Sequence, residues 1–154
     1  MAETATESLQ QIVVFRLGNQ EFGLEIGQVK EIIRLTEVTP MPNVPEAIAG
    51  MINVRGKIIP VVDICRYLGL TPTALEPTAR IIVVNVGGVL VGLQVEAATD
   101  VIRVAGDTLE PASEILAGAS LTSIKGVFNL NERLITLVNL TDILNISANL
   151  DLPE

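Results

Sequence analysis

The chain contains no histidine and no tryptophan, a single cysteine, and only 3% aromatic residues. Each scarcity excludes something. Without histidine, the side chain that titrates nearest neutral pH is missing, and most familiar metal-site and acid–base chemistry goes with it. Cys65 stands alone, so neither an intrachain disulfide nor a cysteine cluster for metal can form. Beside Ile64, Tyr67 and Leu68 it reads as a buried structural thiol. Cations are also few: 10 Lys and Arg stand against 18 Asp and Glu, for a net charge of −8. A nucleic-acid surface needs a basic face and stacking rings, so that class of partner is disfavoured. No apolar run is long enough to span a bilayer as a helix. The most apolar stretch, Ile81 to Leu93, is broken by Asn85, Gly87 and Gly88. The opening MAETATES is acidic and small, the reverse of a signal peptide's basic and apolar start. The expectation is a soluble, cytoplasmic protein without membrane insertion, cofactor or metal.

What the chain has in abundance is Val, Ile and Leu. They lift the hydrophobic fraction to 49% and the mean hydropathy to +0.51, and 154 residues suffice for one domain with a real core. The sequence also repeats. Shifted by 69, IVVFRLGNQEFGLEIGQVKEIIR (Ile12 to Arg34) falls without gaps on IIVVNVGGVLVGLQVEAATDVIR (Ile81 to Arg103), matching Gly18 to Gly87 and Gly23 to Gly92. Shifted by 76, IAGMINVRGKIIPVVDICRYLGL (Ile48 to Leu70) falls on IKGVFNLNERLITLVNLTDILNI (Ile124 to Ile146), matching Gly50 to Gly126 and Asn53 to Asn129. The difference between the shifts, 76 − 69, leaves seven extra residues in the second half, most simply in the connector EPASEILAGAS. The chain is therefore a duplication, with a first unit at about 12–70 and a second at about 81–146.

Each unit reads as strands. Two β-branched runs meet at Gly18-Asn19, a hairpin signal. A second pair turns at Arg55-Gly56, where glycine takes positive φ without steric cost. Pro60 cannot donate to a ladder and marks an edge or a bulge. Asp63 fits a helix N-cap and Gly69 a C′ position, which predicts a short helix from Ile64 to Leu68. Short strands with regular turns and little helix favour small barrels, two of them given the duplication.

The duplication is an internal control. At the turn where the first unit reads Val54-Arg55-Gly56-Lys57, the second reads Leu130-Asn131-Glu132-Arg133. The fold accepts Asn-Glu there and does not itself demand Arg-Gly, so Arg55 is a candidate for a role beyond folding.

INVRGKIIPVVDI, preceded by PEAIAGM and by VVFRLGNQEFGLEIGQVKEII, resembles the CheW family of bacterial chemotaxis adaptors. The Asn-x-Arg-Gly turn followed by apolar-Pro-apolar-apolar-Asp is the specific part, and the Phe-Gly-Leu-x-Ile hairpin supports it. The resemblance runs from Gln11 to Ile146, leaving tails at 1–10 and 147–154. It implies an all-β fold of two SH3-like five-stranded barrels sharing a hydrophobic core. It further implies a non-enzymatic adaptor joining the cytoplasmic tips of chemoreceptors to the regulatory domain of the histidine kinase CheA. The same domain closes CheA and opens the coupling protein CheV. The short tail SANLDLPE favours the stand-alone adaptor, a monomer when free. One departure is Glu96, where family members often carry aspartate.

For individual residues the resemblance implies the following. Arg55 contacts a partner, and Glu31 lies near it at the receptor-facing groove. An ion pair between them is plausible but does not follow from sequence. Val29 and Ala98, equivalent across the copies, lie along that groove or pack in the core. Gly50 and Gly92 have copy-equivalent glycines, which favours close strand approach or a bulge. Gly56 has none, so its role is specific to the turn beside Arg55; Gly50, Asn53, Gly56 and Gly92 count with Val29, Glu31, Arg55, Arg80 and Ala98 as the candidate partner-binding residues. Arg80 lies near the groove or is a plain edge-strand charge. The first barrel is assigned the kinase end. Three other readings remain open: an interaction domain of another two-component pathway, an enzyme recruiting Asp63, Glu96 and Asp100, and a nucleic-acid-binding barrel.

Overall fold

The structure, a computed structural model, describes residues 9–70, 77–105, 108–111, 124–130 and 132–140. In chain order these form β1 (Leu9–Leu17), β2 (Gln20–Glu25), a 3-10 turn (Ile26–Gln28), β3 (Val29–Arg34), β4 (Ile48–Val54), β5 (Lys57–Asp63), α1 (Ile64–Tyr67), β6 (Arg80–Val86), β7 (Val89–Val95), β8 (Ala97–Ala105), β9 (Leu109–Pro111), β10 (Ile124–Leu130) and β11 (Arg133–Val138). The expected all-β chain with one short helix is present. Most of the connector EPASEILAGAS, Asn131, and the residues outside 9–140 lie beyond the described part.

Local chemistry explains the turns. Gly18 carries φ +62 between β1 and β2, and Gly87 and Gly88 carry +59 and +88 between β6 and β7. The Asp63 side chain accepts the Cys65 N–H at 3.1 Å and so caps α1. At its other end Gly69, at φ +77, donates to the Arg66 carbonyl at 3.1 Å and Leu70 to that of Cys65 at 2.8 Å, the paired bonds of a Schellman ending.

The two repeats do not form one sheet each. One sheet has the order β3-β6-β7-β5-β4, and the other β8-β1-β2-β11-β10-β9. Every sheet thus combines the first hairpin of one repeat with the later strands of the other. The exchange is symmetric down to the bulges. Register shifts between Val29 and Glu31 where β3 meets β6, and beside Val14 and Phe15 where β1 meets β8, skipping the equivalent residues Lys30 and Thr99. The short β9 makes one sheet six-stranded. Its counterpart in the first repeat is reduced to a single bridge, Thr39 to Met51.

Pro60 is neither on an edge strand nor at the bulge. It lies in β5, which runs between β4 and β7, one residue before the parallel ladder to β7 begins at Val61 opposite Gly92. That ladder therefore never needs its missing N–H. The adjacent bulge is on β4, between Ile48 and Gly50.

Three packed clusters account for the hydropathy. The largest joins Phe15, Phe22, Leu24 and Val138 of one sheet to Val62, Ile82, Leu93 and Val95 of the other, so the two sheets share a core. Each sheet also has its own interior, built around Phe128 and Ile135 in one and around Ile52, Ile59 and Val83 in the other. Consecutive residues of β1 and β6 face different clusters, so both faces are buried and the strands read as unbroken apolar runs.

Cys65 is buried in the shared core, and burial, with Asp63 and Glu96 nearby, pushes its thiol up to about 11. Iodoacetamide should label it far more slowly at pH 8 than it labels the urea-unfolded chain, with the rate rising toward pH 11. Equal labelling of native and unfolded protein at pH 8 would contradict this placement.

Candidate functional site

The turn between β4 and β5 is closed by the pair Val54 and Lys57, leaving Arg55 and Gly56 as its two central residues. Both have positive φ, +52 and +87. Glycine takes this conformation freely, whereas an arginine there costs about 1 kcal/mol or more. The Gly56 N–H donates to the Asn53 side chain at 2.9 Å. Arg55 projects outward, its side chain 81% exposed, and its Nη1 lies 3.2 Å from Glu31 Oε2 on β3. Such an exposed pair stabilises by about 0–1 kcal/mol. Strain and ion pair thus roughly cancel, and folding gains little from Arg55.

Beside this turn is a groove of about 220 Å³ lined by Lys30, Glu31, Val54, Arg55, Lys57, Ile59, Val83 and Leu90. Its apolar floor continues the interior cluster of the five-stranded sheet, to which Ile59 and Val83 belong. Lys30, Arg55 and Lys57 form a locally cationic rim on a chain whose net charge is −8.

The duplication supplies the comparison. Glu21, Asp100 and Arg133 are the repeat equivalents of Leu90, Glu31 and Lys57. On the six-stranded sheet Arg133 grips Glu21 with two hydrogen bonds, at 2.7 and 2.8 Å, and reaches Asp100 at 3.4 Å. The Arg133 hydrogen bond holds the Glu21 carboxyl below the usual carboxylate range. The position that is apolar on one sheet therefore carries an internal ion triad on the other, where Glu21 and Arg133 line a polar cavity of about 640 Å³. Replacing Glu21 by Gln should lower the melting temperature slightly at pH 7. The direction follows from the depressed pKa: the contribution is present above the ordinary glutamate value and lost as pH falls through the folded one. Melting wild type and variant from pH 7 to pH 3 checks it; a gap that widens toward pH 3 contradicts the assignment.

The remaining candidates are scattered. Gly50 and Gly92 are buried. A Cβ on Gly50 would collide with the Thr39 carbonyl oxygen, and one on Gly92 would lie 2.8 Å from Ile81 Cγ2, so close approach accounts for both. Val29 packs against the shared core. Ala98, on β8, pairs with Phe15 in the other sheet. Neither Val29 nor Ala98 lines the Arg55 groove. Arg80 begins β6, at the end away from the Arg55 turn, with Nη1 donating to the carbonyls of Pro77 at 3.1 Å and Ala79 at 2.9 Å. Asp63 and Glu96 both lie beside Cys65, but Asp63 is used as a helix cap and Asp100 pairs with Arg133, so the three carboxylates of the enzyme reading do not converge. Glu96 sits between β7 and β8, where its N–H donates to Arg16 and its carbonyl accepts from Thr78 Oγ1 at 2.9 Å. Lys30, Val54, Lys57, Ile59, Val83 and Leu90 were not singled out by sequence. The signal existed at Leu90, whose repeat equivalent is the charged Glu21.

An apolar groove edged by Lys30, Glu31, Arg55 and Lys57 on the face of a sheet has the make-up of a protein-interaction surface. The CheW-like domain family model matches residues 11–148. Chemotaxis protein CheW of Rhizobium meliloti is 37% identical over 144 residues, covering 92% of each chain. Chemotaxis protein CheW of Klebsiella aerogenes is 31% identical over 136 residues, covering 88% of this chain and 82% of that one. The crystal structure of scaffolding protein TtCheW from Thermoanaerobacter tengcongensis matches with a TM-score of 0.79 at 33% identity, covering 85% of this chain and 84% of that one. The chain belongs to the CheW family. It is a chemotaxis coupling protein, a scaffold and not an enzyme.

Proposed function

We propose that this protein joins chemoreceptor cytoplasmic tips to the regulatory domain of the kinase CheA, in the cytoplasm and as a monomer when free, and that the Arg55 groove takes the receptor tip. The observation that carries the reading is the contrast between the equivalent positions of the two sheets. Glu21, Arg133 and Asp100 satisfy one another on the six-stranded sheet. The corresponding floor of the five-stranded sheet stays apolar, and Arg55 stands beside it in a strained conformation from which folding gains little. One aliphatic side chain of a partner entering such a floor contributes about 1.5–3 kcal/mol, enough to anchor an interface. An acidic group alongside would pair with Arg55 or Lys57 and set the register. The kinase is assigned to the same sheet, which derives mainly from the first repeat.

The test is a pair of calorimetric titrations, one with a soluble receptor fragment and one with the CheA regulatory domain, both taken from the same genome. Binding of each partner by the wild-type chain, with receptor binding weakened by Leu90→Glu, supports the assignment. Receptor binding unaffected by a charge placed on the groove floor overturns it.

A further inference from the structure

We propose that Asn53 is a positioning residue for Arg55, acting through the turn and not through contact with a partner. This rests on the reading of Arg55 as the interface anchor.

Asn53 is exposed and sits two residues before Arg55, opposite Ile58. Its Oδ1 accepts the Gly56 N–H at 2.9 Å, which spans the turn across Arg55. That bond fixes the two residues whose φ values are +52 and +87, and thereby the direction in which the Arg55 side chain leaves the sheet. The hairpin between β6 and β7 contains the same device: Asn85 Oδ1 accepts the Gly88 N–H at 2.9 Å. There both central residues are glycines, at φ +59 and +88, so the backbone enters the left-handed region without strain. At Arg55 one of the two central residues carries a side chain. A side-chain acceptor that lowers the energy of the left-handed turn therefore matters more at this hairpin. Asn53 is suited to it because its side-chain carbonyl reaches the backbone N–H three residues on.

Without that bond the turn samples other conformations, and Arg55 is presented in the binding geometry only part of the time. Apparent affinity falls by that fraction. We expect Asn53→Ala to weaken binding of the receptor fragment about fivefold, the factor set by loss of one ordinary hydrogen bond. Asn53→Asp keeps an acceptor at the same place and should restore affinity to within about twofold of wild type. The decisive measurement is a double-mutant cycle on the full chain, titrated with the receptor fragment beside thermal melts. In the Arg55→Ala background, Asn53→Ala should add no further loss, because nothing remains to position. An equal loss in both backgrounds means that Asn53 touches the partner itself, and overturns the proposal. So does unchanged binding by Asn53→Ala when Arg55→Ala alone is weak. If Arg55→Ala binds like wild type, the Arg55 reading fails instead, and the positioning role falls with it. Amide exchange at Gly56 gives an independent readout. It should speed up in Asn53→Ala and stay slow in Asn53→Asp, and exchange unchanged in Asn53→Ala also overturns the proposal.

Discussion

Arg55→Glu is expected to lose about a hundredfold in affinity for the receptor fragment while melting within about 2 °C of the wild-type protein. The two readouts separate because different energies govern them. In the folded chain Arg55 pairs with Glu31 at 3.2 Å, and its side chain is 81% exposed. Losing such a pair costs about 0–1 kcal/mol, and it is offset by the strain of holding arginine at φ +52. At an interface the balance differs, because the partner removes water from the guanidinium and from the apolar floor beside it. Truncating an anchor of that kind costs on the order of 2 kcal/mol, so Arg55→Ala should bind about thirtyfold more weakly. Glutamate goes further, placing a negative charge where an acidic partner group belongs and beside Glu31 itself. Arg55→Gly separates strain from function most cleanly. It should melt at or above the wild-type temperature and yet bind as poorly as Arg55→Ala. Near wild-type binding to both partners by a well-folded Arg55→Glu protein would refute the role assigned to this turn.

The second large effect belongs to the fold. Gly50→Asp and Gly126→Asp are each expected to destabilise by about 3 kcal/mol, a drop of roughly 6–12 °C in melting temperature. At Gly50 an added Cβ would overlap the Thr39 carbonyl oxygen and lie 2.8 Å from Val38 Cγ1. At Gly126 it would overlap the Glu110 carbonyl oxygen and lie 3.0 Å from Leu109. Backbone cannot retreat from a new side chain as a flexible neighbour can. The Thr39 carbonyl also accepts the Met51 N–H at 2.8 Å, so moving it breaks a bond. Both glycines sit at the register shift of their strand, next to β5 and β11 respectively. The equivalence across the repeat makes the pair a test. If Gly126→Asp melts like wild type while Gly50→Asp is crippled, the close-approach account of Gly50 is wrong and that residue belongs to an interface.

Much of this was legible in the sequence because it is local. The Asp63 cap, the Gly69 ending and the glycines at both first hairpins depend on a few neighbouring residues, and they stand where the composition put them. That the fold does not require Arg55 was legible for another reason. Two copies of one unit within a chain reveal which residues the fold can do without, and Asn131-Glu132 stands in for Arg-Gly. The same comparison distinguishes Leu90, whose counterpart is the charged Glu21. The placements of Pro60, Ala98 and Arg80 were not available in this way. Whether β5 is interior, or whether the start of β6 lies near the Arg55 turn, depends on which strands pair.

Sequence by itself therefore determined the hairpins, their turns, the duplication, the family and the turn at which the two copies differ. The tertiary structure alone decided that each repeat lends its first hairpin to the other repeat's sheet. It also decided that Glu31 meets Arg55, and that Leu90 and Val83 from the second repeat floor a groove rimmed by the first. The reason is physical. A strand's side chains alternate between faces and its backbone groups are alike at every residue, so its own pattern says which face is buried but not which strand lies beside it. Partner choice is settled only when all the apolar faces are buried together, and here that occurs across the core that the two sheets share.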